Sequence, residues 1–211
     1  MGMAHSGPWA LTPEKSHMRF HLVSAVAALG AMLPLMTHAD ELSYSYLDPA
    51  YITTDIDGFD EDVDGFALRG SLEVTDQAFV FAGYTDQSTD IFGEDLEFRT
   101  MSIGGGYAWP LSNRADVYGR LGYVKQEAEY AGFNADDDGF LLGAGLRGRV
   151  AQEFELEGGI NYVDLSDSGD NTSVFGAGRW YFTPAFAAGI EAELGDNVNT
   201  YGLGVRWSFA P

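Results

Sequence analysis

Beyond residue 40 the chain alternates apolar and polar residues with a period of two, and no window keeps the 3.6-residue apolar period of an amphipathic helix. The alternation is clearest in residues 66–74, 142–146, 154–162 and 201–209. Successive side chains of a β-strand point to opposite faces, so each of these runs predicts a strand with one apolar face. The pattern therefore predicts an all-β fold.

Clusters of glycine, proline, asparagine and aspartate divide this region into about ten strands of the length that a tilted membrane strand needs. We place these strands at residues 42–53, 63–74, 78–88, 95–109, 116–127, 138–150, 153–165, 172–183, 186–195 and 198–209. An even number of strands puts both chain ends on the same side of a barrel. Eight strands remain an alternative.

The predicted connections alternate in kind along the chain. One set is short and lies at residues 75–77, 110–115, 151–152 and 183–185. The other set is generally longer and acidic and lies at residues 54–62, 89–94, 128–137, 166–171 and 196–197. Short periplasmic turns and longer extracellular loops are typical of an outer-membrane barrel. The sequence therefore predicts a single antiparallel up-and-down transmembrane β-barrel with acidic extracellular loops, located in the cell outer membrane.

Aromatic residues gather at both ends of the predicted strands, as the two interfacial girdles of a membrane barrel require. At the short-turn ends lie Trp109, Trp180, Trp207, Phe79, Tyr118, Phe154, Phe182, Phe186 and Phe209. At the opposite ends lie Tyr51, Phe66, Tyr84, Phe98, Tyr123, Phe140, Tyr162 and Tyr201. The alternative explanation is the general preference of strands for aromatic residues.

Charged residues alternate with the apolar positions in most strands, so we expect them to point into the barrel. This predicted interior charge ladder comprises Arg69, Glu73, Arg120, Arg147, Arg149, Glu155, Glu157, Arg179, Glu191, Glu193 and Arg206. Glu97 and Arg99 are exceptions, because they share the parity of the apolar residues Met101 and Ile103. We predict a β-bulge that reconciles this strand with the others.

The first 39 residues are typical of a secretory signal peptide, because Arg19 precedes an apolar run at 22–36 that ends in a small-x-Ala cleavage site. The run is shorter than the roughly 20 residues of a membrane-spanning helix. We expect cleavage between Ala39 and Asp40, which leaves residues 40–211 as the barrel; an uncleaved anchor is the alternative. Residues 1–17 are unlike the start of a signal peptide, which favours translation from Met18.

Catalytic chemistry has few candidates in this sequence. Cysteine is absent, and all 4 histidines lie before residue 40, which excludes the common nucleophile and base pairs from the mature chain. Glu155 with Glu157 and Glu191 with Glu193 form carboxylate pairs, but beside inward arginines these are better explained as structural charges. We therefore expect neither an enzyme nor a cofactor.

The formal net charge of −21 argues against nucleic acid as a partner and allows contact with lipopolysaccharide phosphates only through divalent cations. The stretch from Asp60 to Gly65 opens like an EF-hand loop, but Ser71 stands where a bidentate glutamate is required. The stretch at 136–139 fails in the same way. We expect solvated acidic loops and no metal site.

Residues 204–209 resemble the C-terminal signal of outer-membrane proteins, Gly-x-x-aromatic-x-aromatic, with Gly204, Trp207 and Phe209 at the matching positions. The chain departs from that signal by continuing to Ala210 and Pro211. The resemblance implies recognition by the barrel-assembly machinery. The mature chain as a whole resembles small barrels of the opacity-protein and OmpA-like transmembrane type. Residues 42–55, 64–74 and 79–86 resemble a xanthomonad outer-membrane barrel family once linked to quorum signalling, which implies no agreed activity.

Three functional interpretations remain open from the sequence. The first is a structural or surface-interaction barrel, and the second is a small pore. The third is a secreted soluble barrel that binds an apolar ligand, with an apolar interior and a charged exterior. Opposed arginine and glutamate rows are expected to pair and to fill a narrow lumen, which favours the first interpretation.

Overall fold

A computed structural model describes residues 42–58, 61–91 and 93–209. The described chain forms the strands β1 (Tyr46–Ile56), β2 (Val63–Glu73), β3 (Ala78–Ile91), β4 (Glu94–Ser112), β5 (Ala115–Tyr130), β6 (Phe133–Arg149), β7 (Phe154–Leu165), β8 (Gly169–Tyr181), β9 (Phe186–Leu194) and β10 (Val198–Ser208). Each strand pairs antiparallel with its sequence neighbours, and β1 pairs with β10 to close the barrel. The predicted up-and-down barrel is confirmed, with ten strands.

Several expectations from the sequence fall outside the described residues. They are the signal peptide, its cleavage between Ala39 and Asp40, the alternative start at Met18, and Asp60 of the acidic stretch. Within the described ranges, no helix is long and apolar enough to cross a membrane.

The two faces of the sheet differ as the alternation predicts. Ile103, Ile190 and Leu203 on the outer face are 61%, 68% and 64% exposed, whereas Arg147 and Glu155 on the inner face are 2% and 0% exposed. An apolar exterior suits hydrocarbon, and closure pairs the backbone groups that a bilayer cannot satisfy. This distribution is the reverse of a soluble barrel with an apolar interior.

We call the two ends of the barrel the turn end and the hairpin end. The turn end carries the short connections after β2, β4, β6 and β8 together with the start of β1 and the end of β10. The hairpin end carries the connections after β1, β3, β5, β7 and β9. By the usual arrangement of outer-membrane barrels, the hairpin end is expected to face the outside of the cell.

Two of the predicted acidic loops are wrong, because their residues continue the strands. The predicted loop 128–137 is a hairpin in which Ala128 pairs with Ala135. Its turn consists of Ala131 and Gly132, whose φ angles of 49° and 81° are the positive values that a tight hairpin turn favours. The predicted loop 89–94 likewise contracts, since Ile91 pairs with Glu94. Acidic residues are generally depleted in strands. Outside the membrane, however, a paired strand can continue with acidic side chains because water solvates them.

The β-bulge predicted for this strand, without a defined place, is also wrong for residues 97–107. The pairing of β4 with β5 is continuous from Leu96 to Pro110, and its only irregularity lies between Pro110 and Ser112. Glu97 and Arg99 therefore share the outer face with Met101. They lie beyond Met101 towards the hairpin end, where an outward charge meets water and polar groups rather than hydrocarbon.

Most, but not all, of the predicted girdle residues lie on the outer face. Trp109, Trp180 and Tyr51 are 51%, 58% and 57% exposed at the two ends. Phe79 and Tyr118, in contrast, are 6% and 4% exposed and pack inside the barrel. Phe98 also lines the interior. Along their strands, these three residues alternate with outward-facing residues and so face inward. The sequence prediction considered only how near each aromatic residue lies to a strand end, and not which face it occupies.

Candidate functional site

Towards the turn end, buried side chains fill the barrel interior; this closed layer includes Tyr44, Phe79, Tyr118, Arg147, Glu155 and Arg206. Towards the hairpin end the interior contains a cavity of about 880 Å³. The cavity reaches from Asp48, Tyr118 and Arg206 at its floor to Asp167 and Ser168 of the β7–β8 connection. Asp167 and Ser168 are exposed, so the cavity meets solvent at the hairpin end.

The closed layer contains a buried network of three arginines and three carboxylates, namely Arg147, Arg179, Arg206, Asp48, Glu155 and Glu157. Arg206 donates from Nη2 to Asp48 at 2.7 Å and from Nη1 to Glu155 at 3.3 Å. Arg147 Nη2 donates to Glu155 at 2.9 Å, and Arg179 Nη1 donates to Glu157 at 2.7 Å. The formal charges in this network cancel.

The short segment before β1 completes the closed layer. Arg147 Nη1 donates to the Ser43 carbonyl at 2.8 Å, and the Tyr44 amide donates to Glu73 Oε1 at 2.9 Å. The Tyr44 ring stacks on Phe79 at 4.7 Å and meets Tyr118 edge-on at 6.1 Å. Residues 43–45 therefore fold into the lumen, where Glu73 and Arg147 hold them.

Above the closed layer, side chains reach across the strands that lie between them. Arg69 on β2 pairs with Glu191 on β9. Arg120 on β5 crosses β6 to reach Asn161 on β7, donating from Nη2 to Oδ1 at 2.9 Å. A Cβ atom at Gly143 would lie 2.7 Å from Arg120 Nε, so the glycine makes room for this crossing.

The predicted interior charge ladder maps onto the inward face as follows. Arg147, Arg179, Arg206, Glu155 and Glu157 lie in the buried network; Glu73 holds the segment before β1; and Arg69, Arg120, Glu191 and Glu193 line the cavity. Arg149 lies near the turn end, with its guanidinium 4.3 Å from the Tyr181 ring centroid.

Sequence reasoning missed Asp48, Asn161 and the inward role of Tyr118. Asp48 alternates with Leu47 and Pro49, and that parity is the signal that would have identified it. Tyr118 donates its hydroxyl to Glu157 at 2.6 Å, a contact that no local pattern indicates because it joins β5 to β7.

The residues of the terminal motif lie at the β1–β10 seam and the turn end. Trp207 pairs with Leu47, and its ring lies 5.3 Å from that of Phe209. Gly204 faces inward, where a Cβ atom would come within 2.9 Å of the Pro49 carbonyl oxygen.

A second cavity of about 210 Å³ lies on the outer wall formed by the hairpin-end parts of β4, β5 and β6. Arg99 pairs there with Glu97, and its Nη1 lies 3.9 Å from Glu129. Lys125 Nζ lies 2.6 Å from Glu127 and 3.7 Å from Asp136. We call this set the outer charged wall.

No group of three or more acidic or histidine side chains in the described ranges is arranged to hold a metal ion. The EF-hand-like stretch is not a continuous loop, because β2 begins at Val63 and Ser71 is buried in the barrel wall.

Residues 25–209 match the family model described as outer membrane protein beta-barrel domain. Three similar solved structures are Ail of Yersinia pestis in complex with sucrose octasulfate, the NanC porin, and the N-terminal β-barrel domain of Pseudomonas aeruginosa OprF. Ail is 18% identical over 78% of this chain and 95% of its own, with a TM-score of 0.44. NanC is 10% identical over 77% and 100%, with a TM-score of 0.52. OprF is 12% identical over 80% and 100%, with a TM-score of 0.45. No curated protein matches. At these identities the structural similarity concerns the fold alone.

Proposed function

We propose a function for this protein on the premise that the chain belongs to the outer membrane protein beta-barrel domain family, whose model matches residues 25–209. The protein is therefore an integral β-barrel of the cell outer membrane. Within that location we propose a closed barrel with a structural or surface-interaction role. A small channel of the outer membrane is the competing function.

The observation that carries this proposal is the closed layer towards the turn end. Its charged network joins β1, β6, β7, β8 and β10 across the lumen, and its aromatic cluster of Tyr44, Phe79 and Tyr118 fills the remaining side. A barrel of this size is close to one that side chains can fill. The layer supports a barrel that solutes do not cross in its resting state.

The outer charged wall is the surface that we propose for contacts with other molecules. It carries Glu97, Glu127, Glu129 and Asp136 against Arg99 and Lys125. This excess of carboxylates favours contact with lipopolysaccharide phosphates through divalent cations, because direct contact would bring like charges together. The net charge of −21 supports the further proposal that nucleic acid is not a partner.

Two proposals concern processing and chemistry. Recognition by the barrel-assembly machinery through Gly204, Trp207 and Phe209 rests on the resemblance of the chain's end to the outer-membrane signal. A role other than catalysis rests on the absence of histidine and cysteine beyond residue 40, and on the ion pairs and tyrosine contacts of Glu155 and Glu157.

Conductance in planar bilayers tests the closed barrel. Wild-type protein should conduct little, because the charged network and Tyr44 occupy the lumen. The triple variant Arg147→Ala, Arg179→Ala, Arg206→Ala should conduct more and favour cations, since it empties space and leaves carboxylates unpaired. The matched control is Arg114→Ala, an exposed arginine in the β4–β5 turn, which should leave conductance unchanged.

The double variant Tyr44→Ala, Phe79→Ala opens the aromatic side of the closed layer without removing charge. It should also raise conductance, and it replaces the triple variant as the test if that variant fails to assemble. Large and stable wild-type channels would contradict the closed barrel and favour the pore.

A further inference from the structure

Arg120 lies in the wall of the 880 Å³ cavity without a carboxylate partner in the part of the chain that the structure describes. The rings of Phe81 and Phe175 flank its guanidinium at 5.6 and 5.8 Å. Its Nε is buried and donates no hydrogen bond to the described residues. The other inward arginines of this cavity, Arg69, Arg179 and Arg206, each contact a carboxylate. Arg120 is therefore held in place by neutral groups, and no carboxylate among the described residues pairs with its charge.

Glu193 is the corresponding carboxylate of the same cavity. It accepts hydrogen bonds from Asn161 Nδ2 at 2.9 Å and from Ser173 Oγ, and it forms no ion pair within the described ranges. Glu193 is exposed, whereas the carboxylates of the closed layer are buried against arginine.

A single amide holds these two charges apart. Asn161 is 5% exposed; its Oδ1 accepts from Arg120, and its Nδ2 donates to Glu193. The amide thereby orients a guanidinium and a carboxylate towards the same space while occupying the position between them. Two opposite charges in one cavity, each contacted only by neutral groups among the described residues, present complementary sites for a ligand that carries both charges.

We propose that this cavity binds a small zwitterion of the amino-acid type, with its carboxylate on Arg120 and its ammonium group on Glu193. A simple anion would be repelled by Glu193, and a simple cation would be repelled by Arg120. Ile52, Phe98 and Leu141 also line the cavity, which suits an apolar side chain on the ligand. The volume lies within the roughly 300–1,000 Å³ typical of small-molecule sites. This site lies above the closed layer, so it does not depend on whether the barrel conducts.

The test uses three probes of matched shape on the folded full-length protein in detergent. L-leucine carries both charges, 4-methylpentanoate lacks the ammonium group, and 3-methylbutylamine lacks the carboxylate. Dissociation constants are measured by saturation-transfer difference NMR titration. L-leucine should bind at least about tenfold more tightly than either analogue, because L-leucine makes both charged contacts and each analogue makes only one.

Variants assign the two contacts. Arg120→Gln and Glu193→Gln should each weaken L-leucine binding by about tenfold or more. Arg120→Gln should leave the affinity for 3-methylbutylamine unchanged or raise it, and Glu193→Gln should do the same for 4-methylpentanoate. Arg114→Gln and Glu153→Gln are the matched controls, because both residues are exposed at the turn end.

Heat-modifiable gel mobility verifies that each variant is folded, and the exposed position of Glu193 keeps that variant informative if Arg120→Gln does not assemble. Equal binding of all three probes, no binding of L-leucine, or unchanged L-leucine affinity in the Glu193→Gln variant would overturn the proposal. Tighter binding of 4-methylpentanoate than of L-leucine would also overturn it, and would identify an anion site instead.

Discussion

At the scale of single residues, glycine decides where bulky side chains can fill the lumen. Gly106 on β4 faces inward, and a Cβ atom there would lie 2.2 Å from the ring of Phe79. Gly105, its neighbour, faces outward, and a Cβ atom there would have its nearest contact at 3.6 Å. Adjacent glycines in one strand therefore have different roles.

Gly106→Ala should lower the free energy of unfolding by about 1–3 kcal/mol, because the buried ring of Phe79 must move away from Tyr44. Gly105→Ala is the matched control and should change stability little. Denaturant unfolding in detergent micelles, followed by tryptophan fluorescence, measures both variants. If both variants lost the same free energy of unfolding, the loss would come from replacing a glycine in the strand and not from the packing of Phe79.

Asp48 gives a second prediction at this scale, because Arg206 and Arg179 share its carboxylate. Asp48→Asn should lower the free energy of unfolding by up to about 3–5 kcal/mol, because it leaves three buried arginines facing only two carboxylates, Glu155 and Glu157. Asp55→Asn, an exposed position on the same strand, should cost less than about 0.5 kcal/mol in the same experiment. A small effect at Asp48 would show that water enters the closed layer.

Residue parity also explains how much of the interior could be predicted. Arg206 and Glu155 follow from alternation alone, since a charge between apolar neighbours must face the lumen in a lipid-embedded strand. The pairing of Arg120 with Asn161 does not follow, because it depends on which strands lie two positions apart and on the glycine between them. Glu97 shows the limit of parity: beyond the membrane, the outer face tolerates charge.

At the scale of strands, the length of each element was predicted well where hydrocarbon constrains it and poorly beyond. The start of β2 at Val63 and of β9 at Phe186 agree with the predicted starts. The hairpin-end tips of β3, β5 and β6 extend beyond their predicted bounds. For β5 and β6 the reason is that Ala131 and Gly132 form a tight turn inside a run that looks like an acidic loop. Outside the bilayer, composition no longer distinguishes a solvated strand from a connection.

The last strand carries the prediction at this scale. Deleting residues 207–211 should block insertion while leaving export intact, because it removes Trp207 and Phe209 and shortens the β1–β10 seam, leaving unpaired strand edges. Deleting only Ala210 and Pro211 is the matched control and should preserve insertion. Fractionation of membranes and periplasm separates these outcomes, and normal membrane levels of the longer deletion would contradict the role of the motif.

At the scale of the whole molecule, closure makes stability cooperative. Every strand pairs on both sides, so no edge offers a place where unfolding can begin at little cost. We therefore predict heat-modifiable mobility: the unheated protein should migrate differently from the boiled protein on detergent gels. A variant with β10 shortened by the deletion should lose this difference, and identical mobility of wild type before and after boiling would contradict a stable closed barrel.

The strands extend to different distances beyond the membrane at the hairpin end, so the outer rim of the barrel is higher on one side than on the other. β5 continues from Tyr123 to Tyr130, whereas β10 begins at Val198, close to Tyr201. On the outside of the cell, the barrel wall therefore extends further from the membrane at β4 to β6 than at β9 and β10. Glu193 lies on β9, on this lower side, so we expect bulky molecules to reach it more readily from the side of β9 and β10 than from the side of β4 to β6.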